Sequence, residues 1–238
     1  MFHCAVYWPQ MRIPPGGALR AVLRKLRDKR RAFQARHNRA GVFAAIYRDG
    51  MWGSHESVSG TGSTLQATEF IRQRLPDLFS SLGVRSIVDV PCGDFHWMQA
   101  VVDNSKLRYH GFDIVPDLIR QNIKRYGNAT TQFSVLDIVK SVPPKADLVF
   151  CRHLLIHLTF PDGIAAIRNF QRSGSRYLLI TSQPDCPENV EIGSTGMYRP
   201  VNLELPPFRL SPIARIPDPQ APTDRAELVL LPLDQISL

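Results

Sequence analysis

From about residue 64 onward, short apolar runs alternate with longer stretches whose apolar residues recur at helical spacing. Runs rich in β-branched and aromatic residues predict strands, and they lie at residues 86–90, 109–114, 131–136, 147–151 and 176–182. The stretches with three- and four-residue spacing predict helices, and they cover residues 64–81, 95–103, 116–126 and 161–172. This alternation predicts a mainly parallel sheet with helices on both faces.

Two further segments extend this pattern. Residues 18–39 combine one apolar stripe with many Arg and Lys and predict a basic helix. The late apolar runs at 207–210 and 227–233 predict an antiparallel pair at the end of the sheet. We therefore expect an α/β three-layer sandwich with a mainly parallel seven-stranded twisted sheet, an antiparallel C-terminal strand and a basic helical N-terminal extension. The predicted boundary separates this extension, residues 1–41, from a domain at residues 42–238.

The net charge of +8 is concentrated near the N-terminus. Residues 1–50 hold 11 Lys and Arg against 2 Asp and Glu, a net of +9, whereas the other 188 residues carry about −1. Two interpretations stay open for the basic helix: a solvated helix packed on the domain, or a docking surface for phosphate, nucleic acid or anionic lipid. Four scattered cysteines and an N-terminus without a secretory pattern predict a cytoplasmic protein.

The first predicted strand of the alternating region ends at a turn that contains Gly93, and Asp113 follows 20 residues later at the end of the next strand. In an α/β sheet, such a glycine lets the backbone approach a ligand, and such an acid accepts hydrogen bonds from ribose hydroxyls. The pair predicts a nucleoside cofactor, although Asp113 is also placed to cap the next helix. Asp94 is as well suited to a helix N-cap as to a ligand contact.

This turn has one glycine rather than the several that a pyrophosphate requires, which favours a cofactor without phosphate, such as S-adenosylmethionine. Over about residues 42–238 the chain resembles the class I S-adenosylmethionine-dependent methyltransferases. Residues 88–94 resemble the first motif of these enzymes, with Pro-Cys in place of its first glycine. The segments 111–113, 136–138 and 146–158 resemble the motifs that follow the next three strands.

The resemblance implies that S-adenosylmethionine lies across the carboxyl ends of the first four strands. It places Asp113 on the ribose, Asp137 near the adenine amino group and Asp89 near the amino group of the methionine part. A turn cap for Asp137 and a bond to loop backbone for Asp89 are the structural alternatives. We expect the polar loop at residues 50–64 to close over the pocket through three residues: Trp52, Ser63 and Thr64.

His153 and His157 are the candidate catalytic residues. They lie four residues apart after the fourth strand, where a methyl acceptor is expected, and share one face if the segment is helical. Methyl transfer needs a base only when the acceptor loses a proton, as a hydroxyl does, and histidine suits that role. Arg152 and Arg199 suggest an acceptor with an anionic group, and structural ion pairs are their alternative role.

Other functions are compatible with parts of the sequence. A metal site that combines Cys92 and Cys151 with His96 and His153 is not favoured, because the spacing is unlike that of zinc sites, and we expect no metal. The signature of amino-methylating DNA enzymes is absent, which favours a small-molecule or glycan acceptor over nucleic acid. The alternatives are a nicotinamide-dependent oxidoreductase and a non-enzymatic binding module that acts through the basic helix.

Overall fold

The computed structural model describes residues 38–219 and 225–238. Its first element is helix α1 (Arg39–Arg48), which Asn38 caps by accepting a hydrogen bond from the Gly41 amide at 3.0 Å. The basic helix predicted over residues 18–39 lies outside the described residues except for its last two positions. Among the described helices, none is long and apolar enough to cross a membrane.

The described part of the chain contains a sheet of seven strands and four further helices around it. The strands are β1 (Ser86–Asp89), β2 (Arg108–Asp113), β3 (Thr131–Val135), β4 (Leu148–Cys151), β5 (Tyr177–Ser182), β6 (Ala214–Pro217) and β7 (Glu227–Pro232). The helices are α2 (Glu69–Ser81), α3 (Met98–Ser105), α4 (Pro116–Tyr126) and α5 (Phe160–Arg172).

The strand order in the sheet is β3-β2-β1-β4-β5-β7-β6. Strands β1 to β5 are parallel, β7 runs antiparallel to β5, and β6 runs antiparallel to β7. The predicted α/β fold with a mainly parallel seven-stranded sheet is thereby confirmed. After β3 the chain crosses to the other side of β1 and enters β4, so the strand order reverses between β1 and β4. At such a switch point, the loops leaving the two strands diverge and open a crevice at their carboxyl ends.

The core lies on both faces of the sheet, because successive side chains of a strand point to opposite sides. Ile87 and Leu148 belong to the apolar cluster that contains α2 and α3. Val88 and Val149 belong to the cluster that contains α1 and α5. The central strands are therefore buried on both faces, which explains why they read as continuous apolar runs in the sequence.

Two predicted elements are wrong in position. The helix expected from residue 64 begins at Glu69, because Thr64 instead closes a separate turn by accepting a hydrogen bond from the Ala67 amide at 3.1 Å. The run at 207–210 is not a strand, and the strand that precedes β7 along the chain and pairs with it is β6. Phe208 is instead buried in the apolar core with α5, where an added Cβ on Gly163 would lie 3.5 Å from its ring.

Candidate active site

A cavity of about 400 Å³ opens at the carboxyl ends of the parallel strands, at the point where the strand order reverses. Its floor and walls come from the segments that leave β1 to β4, at residues 89–94, 113–115, 136–139 and 152–154. Residues 58–63 of the polar loop also line it. A volume of this size is at the lower end of the range for small-molecule sites, which is about 300–1,000 Å³.

Most of the predicted site residues meet at this cavity. Those that line it are Trp52, Ser63, Asp89, Gly93, Asp94, Asp113, Asp137, Arg152, His153 and His157. Thr64 and Arg199 are outside the lining. The functional roles of all twelve residues remain predictions, because proximity to a cavity does not identify a ligand.

Asp89 is the most deeply buried acid of the site, with 2% of its surface exposed. Its Oδ2 accepts a hydrogen bond from the Tyr109 hydroxyl at 2.5 Å, and its Oδ1 is buried with no hydrogen-bond partner among the described atoms. Burial raises the pKa of Asp89 to about 8, against the lowering effect of the Tyr109 bond. An unpaired buried oxygen is costly, so Asp89 is suited to a ligand that donates a hydrogen bond or carries positive charge.

Asp113 ends β2 and is held by the backbone on two sides. Its Oδ1 accepts from the Val115 amide at 3.0 Å and its Oδ2 from the Gly93 amide at 3.3 Å. Burial raises its pKa to about 6, and these backbone bonds counteract that rise. Asp113 does not cap α4, because the N-cap residue of that helix is Val115 and no side chain caps it. The ligand-binding role stays a prediction, and each carboxylate oxygen has a second lone pair for it.

Gly93 permits the polar loop to approach the β1 turn. Its φ is +53°, and a Cβ at this position would lie 2.3 Å from Oγ of Ser59. The neighbouring Asp94 binds the same loop, because its Oδ2 accepts from the Val58 amide at 3.0 Å and its Oδ1 from the Ser59 hydroxyl at 3.3 Å. Asp94 therefore joins the loop to the turn after β1.

Asp137 is paired with a residue that the sequence prediction assigned to the N-terminal extension. Arg39 donates to Oδ1 of Asp137 at 3.2 Å and to Oδ2 at 2.9 Å, and a third bond at 3.1 Å reaches Asp162. Arg39 itself lines the cavity. Asp137 also accepts from the Val139 amide at 3.1 Å, so its predicted turn-capping role is present in the structure.

The two predicted anion-binding arginines are both engaged within the protein. Arg152 forms a buried ion pair with Asp218, with N–O distances of 2.7 and 3.0 Å, and donates to the Gly62 carbonyl at 2.8 Å. Arg199 donates to the Leu158 carbonyl at 2.6 Å and lies 4.2 Å from the centroid of the Phe160 ring. The Arg152–Asp218 contact is an ion pair of the kind considered from the sequence, whereas these two Arg199 contacts are a hydrogen bond and a cation–π contact.

His153 and His157 line the cavity, but the chain between them is a 3₁₀ turn, Leu155–His157, rather than an α-helix. Nδ1 of His157 lies 3.2 Å from the Met197 carbonyl, an acceptor, so Nδ1 carries the proton and Nε2 has the free lone pair. Burial lowers the pKa of both imidazoles, and for His153 the neighbouring Arg152 adds to the effect. Both are therefore neutral at neutral pH and able to accept a proton.

Sequence reasoning did not single out several polar residues that line the cavity, among them Arg39, Ser59, Gln183 and Tyr198. Gln183 and Tyr198 belong to one irregular stretch and lie 15 residues apart, and only the fold brings their side chains together. Within residues 38–219 and 225–238, no group of three or more His, Cys, Asp or Glu side chains is arranged to hold a metal ion.

Comparison with known proteins identifies the fold. No protein-family model and no curated protein matches the chain. Among solved structures, magnesium protoporphyrin IX methyltransferase ChlM from Synechocystis PCC 6803, with bound SAH, is 14% identical with a TM-score of 0.51, and the match covers 69% of this chain and 82% of ChlM. Human N-acetylserotonin methyltransferase, in complex with SAM, is 14% identical with a TM-score of 0.52. That match covers 80% of this chain and 58% of the human protein.

The pyocyanin biosynthetic protein PhzM is a third structural neighbour. It is 12% identical with a TM-score of 0.54, and the match covers 70% of this chain and 55% of PhzM. Together these likenesses show that the chain has the Rossmann-like fold of the class I methyltransferases, as the resemblance in the sequence predicted.

Proposed function

We propose that the protein is an S-adenosylmethionine-dependent methyltransferase that acts on a small-molecule acceptor. The observation that carries this proposal is the unpaired, buried Oδ1 of Asp89 in a cavity whose other walls present Asp113 and Asp137. Three acids at the ends of three adjacent parallel strands match the three polar parts of the cofactor: its amino group, its ribose and its adenine. ChlM was crystallised with SAH and the human enzyme with SAM, which supports the same ligand class here.

Each acid has a defined role in this proposal. Asp89 accepts a hydrogen bond from the ammonium group through Oδ1, Asp113 accepts from the ribose hydroxyls, and Asp137 accepts from the adenine amino group. The Arg39 ion pair holds the Asp137 carboxylate in place for that contact. The cofactor supplies an electrophilic methyl group on a sulfonium, so the protein mainly aligns the two reactants.

The loop at residues 58–63 excludes water from the reacting centre. Three contacts hold it over the cavity: Asp94 binds Val58 and Ser59, and Arg152 binds the Gly62 carbonyl. This assigns Arg152 and Asp218 a positioning role. Of the two histidines, His157 is the proposed base, because its Nε2 keeps a free lone pair.

Calorimetric titration with S-adenosylhomocysteine tests the proposal. We expect micromolar binding to the wild type and a loss of about 1–3 kcal/mol, roughly 5- to 150-fold in affinity, for Asp113→Ala. Asp117→Ala is the matched control, because Asp117 is an exposed acid in the first turn of α4. Its affinity should equal that of the wild type.

The outcome also decides between functions. If NADH binds and S-adenosylhomocysteine does not, the protein is a nicotinamide enzyme rather than a methyltransferase. The described residues give no observation that favours this alternative or the nucleic-acid-binding module. We also propose the cytoplasm as the compartment, because Cys92, Cys151 and Cys186 are buried free thiols.

A further inference from the structure

One end of the cavity has a wall of aromatic rings that the contacts proposed for the cofactor do not use. The rings of Trp52 and His157 are stacked, with centroids 5.5 Å apart and an interplanar angle of 29°. The Tyr198 ring centroid lies 6.3 Å from that of His157, at an interplanar angle of 59°. We call these three residues the aromatic wall, and all three line the cavity.

Hydrogen bonds between distant segments fix the aromatic wall. The Gly196 amide donates to the His157 carbonyl at 2.8 Å, and the Arg199 amide donates to the Ile156 carbonyl at 3.0 Å. The Met197 carbonyl accepts from the His157 ring at 3.2 Å. The segment at residues 196–199 is therefore bound along its length to the turn after β4, which fixes the His157 ring and the backbone that carries Tyr198.

The aromatic wall carries complementary polar groups. The Tyr198 hydroxyl oxygen accepts from Nε2 of Gln183 at 3.1 Å, which leaves its own proton available for donation. Nε2 of His157 has a free lone pair and accepts. The nearby guanidinium groups of Arg152 and Arg199 are bound to Asp218 and to the Leu158 carbonyl. The wall thus offers two donors, the Tyr198 hydroxyl and the Trp52 indole N–H, and one acceptor on an otherwise apolar surface.

We propose that the aromatic wall is the acceptor subsite and that it binds a planar aromatic compound with a ring hydroxyl, which is the group that receives the methyl. This inference rests on the proposed methyltransferase function and names its substrate class. Flat rings stack on aromatic side chains with a gain of about 0.5–1.5 kcal/mol beyond the burial of area. Two donors and one acceptor suffice for a phenol, whereas a sugar ring needs more polar partners.

The size of the site supports a small planar acceptor. A cavity of about 400 Å³ that also receives the cofactor favours a small acceptor over a large one. Tyr198 of the aromatic wall and the adjacent residue Met197 are 62% and 52% exposed and form an apolar rim on the surface. Substituents of the acceptor are expected to lie along this rim.

The proposed reaction transfers a proton from the acceptor hydroxyl to His157 and a methyl group from the cofactor to the acceptor oxygen. The hydroxyl proton moves to Nε2 of His157 and the acceptor oxygen forms a bond to the methyl carbon. The bond between that carbon and sulfur breaks, and its electron pair stays on the sulfur, which becomes neutral. His157 then releases the proton to solvent. A phenol has a pKa of about 10, as tyrosine does, so a positioned base promotes this step.

Calorimetry on protein saturated with S-adenosylhomocysteine tests the subsite with three hydroxyaromatic probes: 4-nitrophenol, catechol and 2-naphthol. Cyclohexanol and methyl β-glucoside are the non-aromatic comparison ligands. We expect at least one hydroxyaromatic to bind and both comparison ligands to bind much more weakly. Trp52→Leu should weaken the aromatic probe about tenfold, and Trp52→Phe should restore most of that loss. Tyr198→Phe, which removes only the hydroxyl, should weaken it about fivefold.

Phe70→Leu and Tyr177→Phe are the matched controls, since both rings are outside the cavity lining, and both should bind the probe as the wild type does. With S-adenosylmethionine and the bound probe, His157→Gln should lower kcat about 10²- to 10⁴-fold while leaving S-adenosylhomocysteine affinity unchanged.

The two proposals fail in different ways. If S-adenosylhomocysteine binds but no hydroxyaromatic does, or the glucoside binds instead, the aromatic subsite is wrong and the methyltransferase proposal stands. Wild-type affinity for the probe in Trp52→Leu also overturns the subsite. Absence of S-adenosylhomocysteine binding overturns the proposed function, and the aromatic wall then has no role as an acceptor site.

Discussion

At the scale of single residues, the cavity contains two carboxyl groups, Asp89 and Asp113, whose pKa values are raised by burial. Asp89, with a pKa of about 8, is about nine-tenths protonated at pH 7 in the free protein. An ammonium group at its Oδ1 favours the ionised form. We therefore predict that S-adenosylhomocysteine binding at pH 7 releases about one proton. Calorimetry in buffers with different ionisation enthalpies measures this number, and Asp89→Asn should reduce it to near zero.

The pH dependence of affinity separates Asp89 from Asp113. Between pH 6 and pH 8, affinity should rise about tenfold per pH unit, because Asp89 must lose its proton for the ligand to bind. Below about pH 6, where Asp113 is also protonated, the logarithm of the affinity should rise twice as steeply with pH, because two carboxyl groups must then lose a proton. The Asp113→Asn variant should bind S-adenosylhomocysteine more weakly than the wild type, and its affinity should lack the steeper pH dependence below about pH 6. Affinity that is constant from pH 5 to pH 8 would contradict both carboxylate assignments.

At the scale of elements, Arg39 connects helix α1 to the loop after β3 and to α5. We predict that Arg39→Met lowers the free energy of unfolding by about 1–3 kcal/mol, because it leaves Asp137 and Asp162 without their shared partner. Urea denaturation measures the loss. Arg48→Met is the control on the same helix, since Arg48 is exposed and pairs with the exposed Asp49, and its effect should be much smaller than that of Arg39→Met. Equal effects would show that apolar contacts alone hold α1.

The polar loop is a second element whose position depends on one side chain. Asp94→Ala removes the acceptor of the Val58 amide and of the Ser59 hydroxyl. We predict that hydrogen exchange at the Val58 amide becomes at least tenfold faster, because this bond closes the loop over the cavity. Asp103→Ala, on an exposed position of α3, should leave the rate unchanged. An unchanged rate in Asp94→Ala would mean that other contacts hold the loop.

The elements also show why the sequence predicted some features and not others. Period and turn signals located the central strands, because burial on both faces leaves a strong apolar run at Leu148 and Val149. The start of the helix predicted at residue 64 was wrong, since the hydrogen bond from the Ala67 amide to the Thr64 hydroxyl closes an isolated turn as readily as a first helical turn. The run at Phe208 is apolar because it packs in the core, and burial alone does not distinguish a strand from a buried turn.

In the candidate site, too, some residues could be predicted from the sequence and others could not. Gly93 and Asp113 were readable because both adjoin strand ends with a fixed spacing. The pairing of Arg152 with Asp218, and of Gln183 with Tyr198, depends on segments that meet only in three dimensions, so no local pattern indicates it. The boundary of the domain near residue 41 remains a prediction, and the contacts of Arg39 with the domain bear directly on it.

At the scale of the whole molecule, the buried acids that equip the cavity oppose folding. Asp89 has a pKa of about 8 in the folded protein, against about 3.9 for an unfolded chain. Between these values the folded state binds the extra proton, so the free energy of unfolding falls as pH rises, by about 1.4 kcal/mol per pH unit. This is the opposite of the usual effect of an aspartate that is stabilised as an anion.

We therefore predict that wild type and Asp89→Asn differ in the pH dependence of their stability. From pH 5 to pH 8, the wild type should lose about 4 kcal/mol relative to the variant, because the variant has no proton to retain. Urea denaturation of both proteins at several pH values measures this difference, and the comparison cancels the titration of the histidines. Parallel profiles would show that the Asp89 carboxyl is ionised in the folded state. Saturating S-adenosylhomocysteine should restore part of the stability lost at pH 8, since its ammonium group gives the ionised Asp89 carboxylate a positively charged partner.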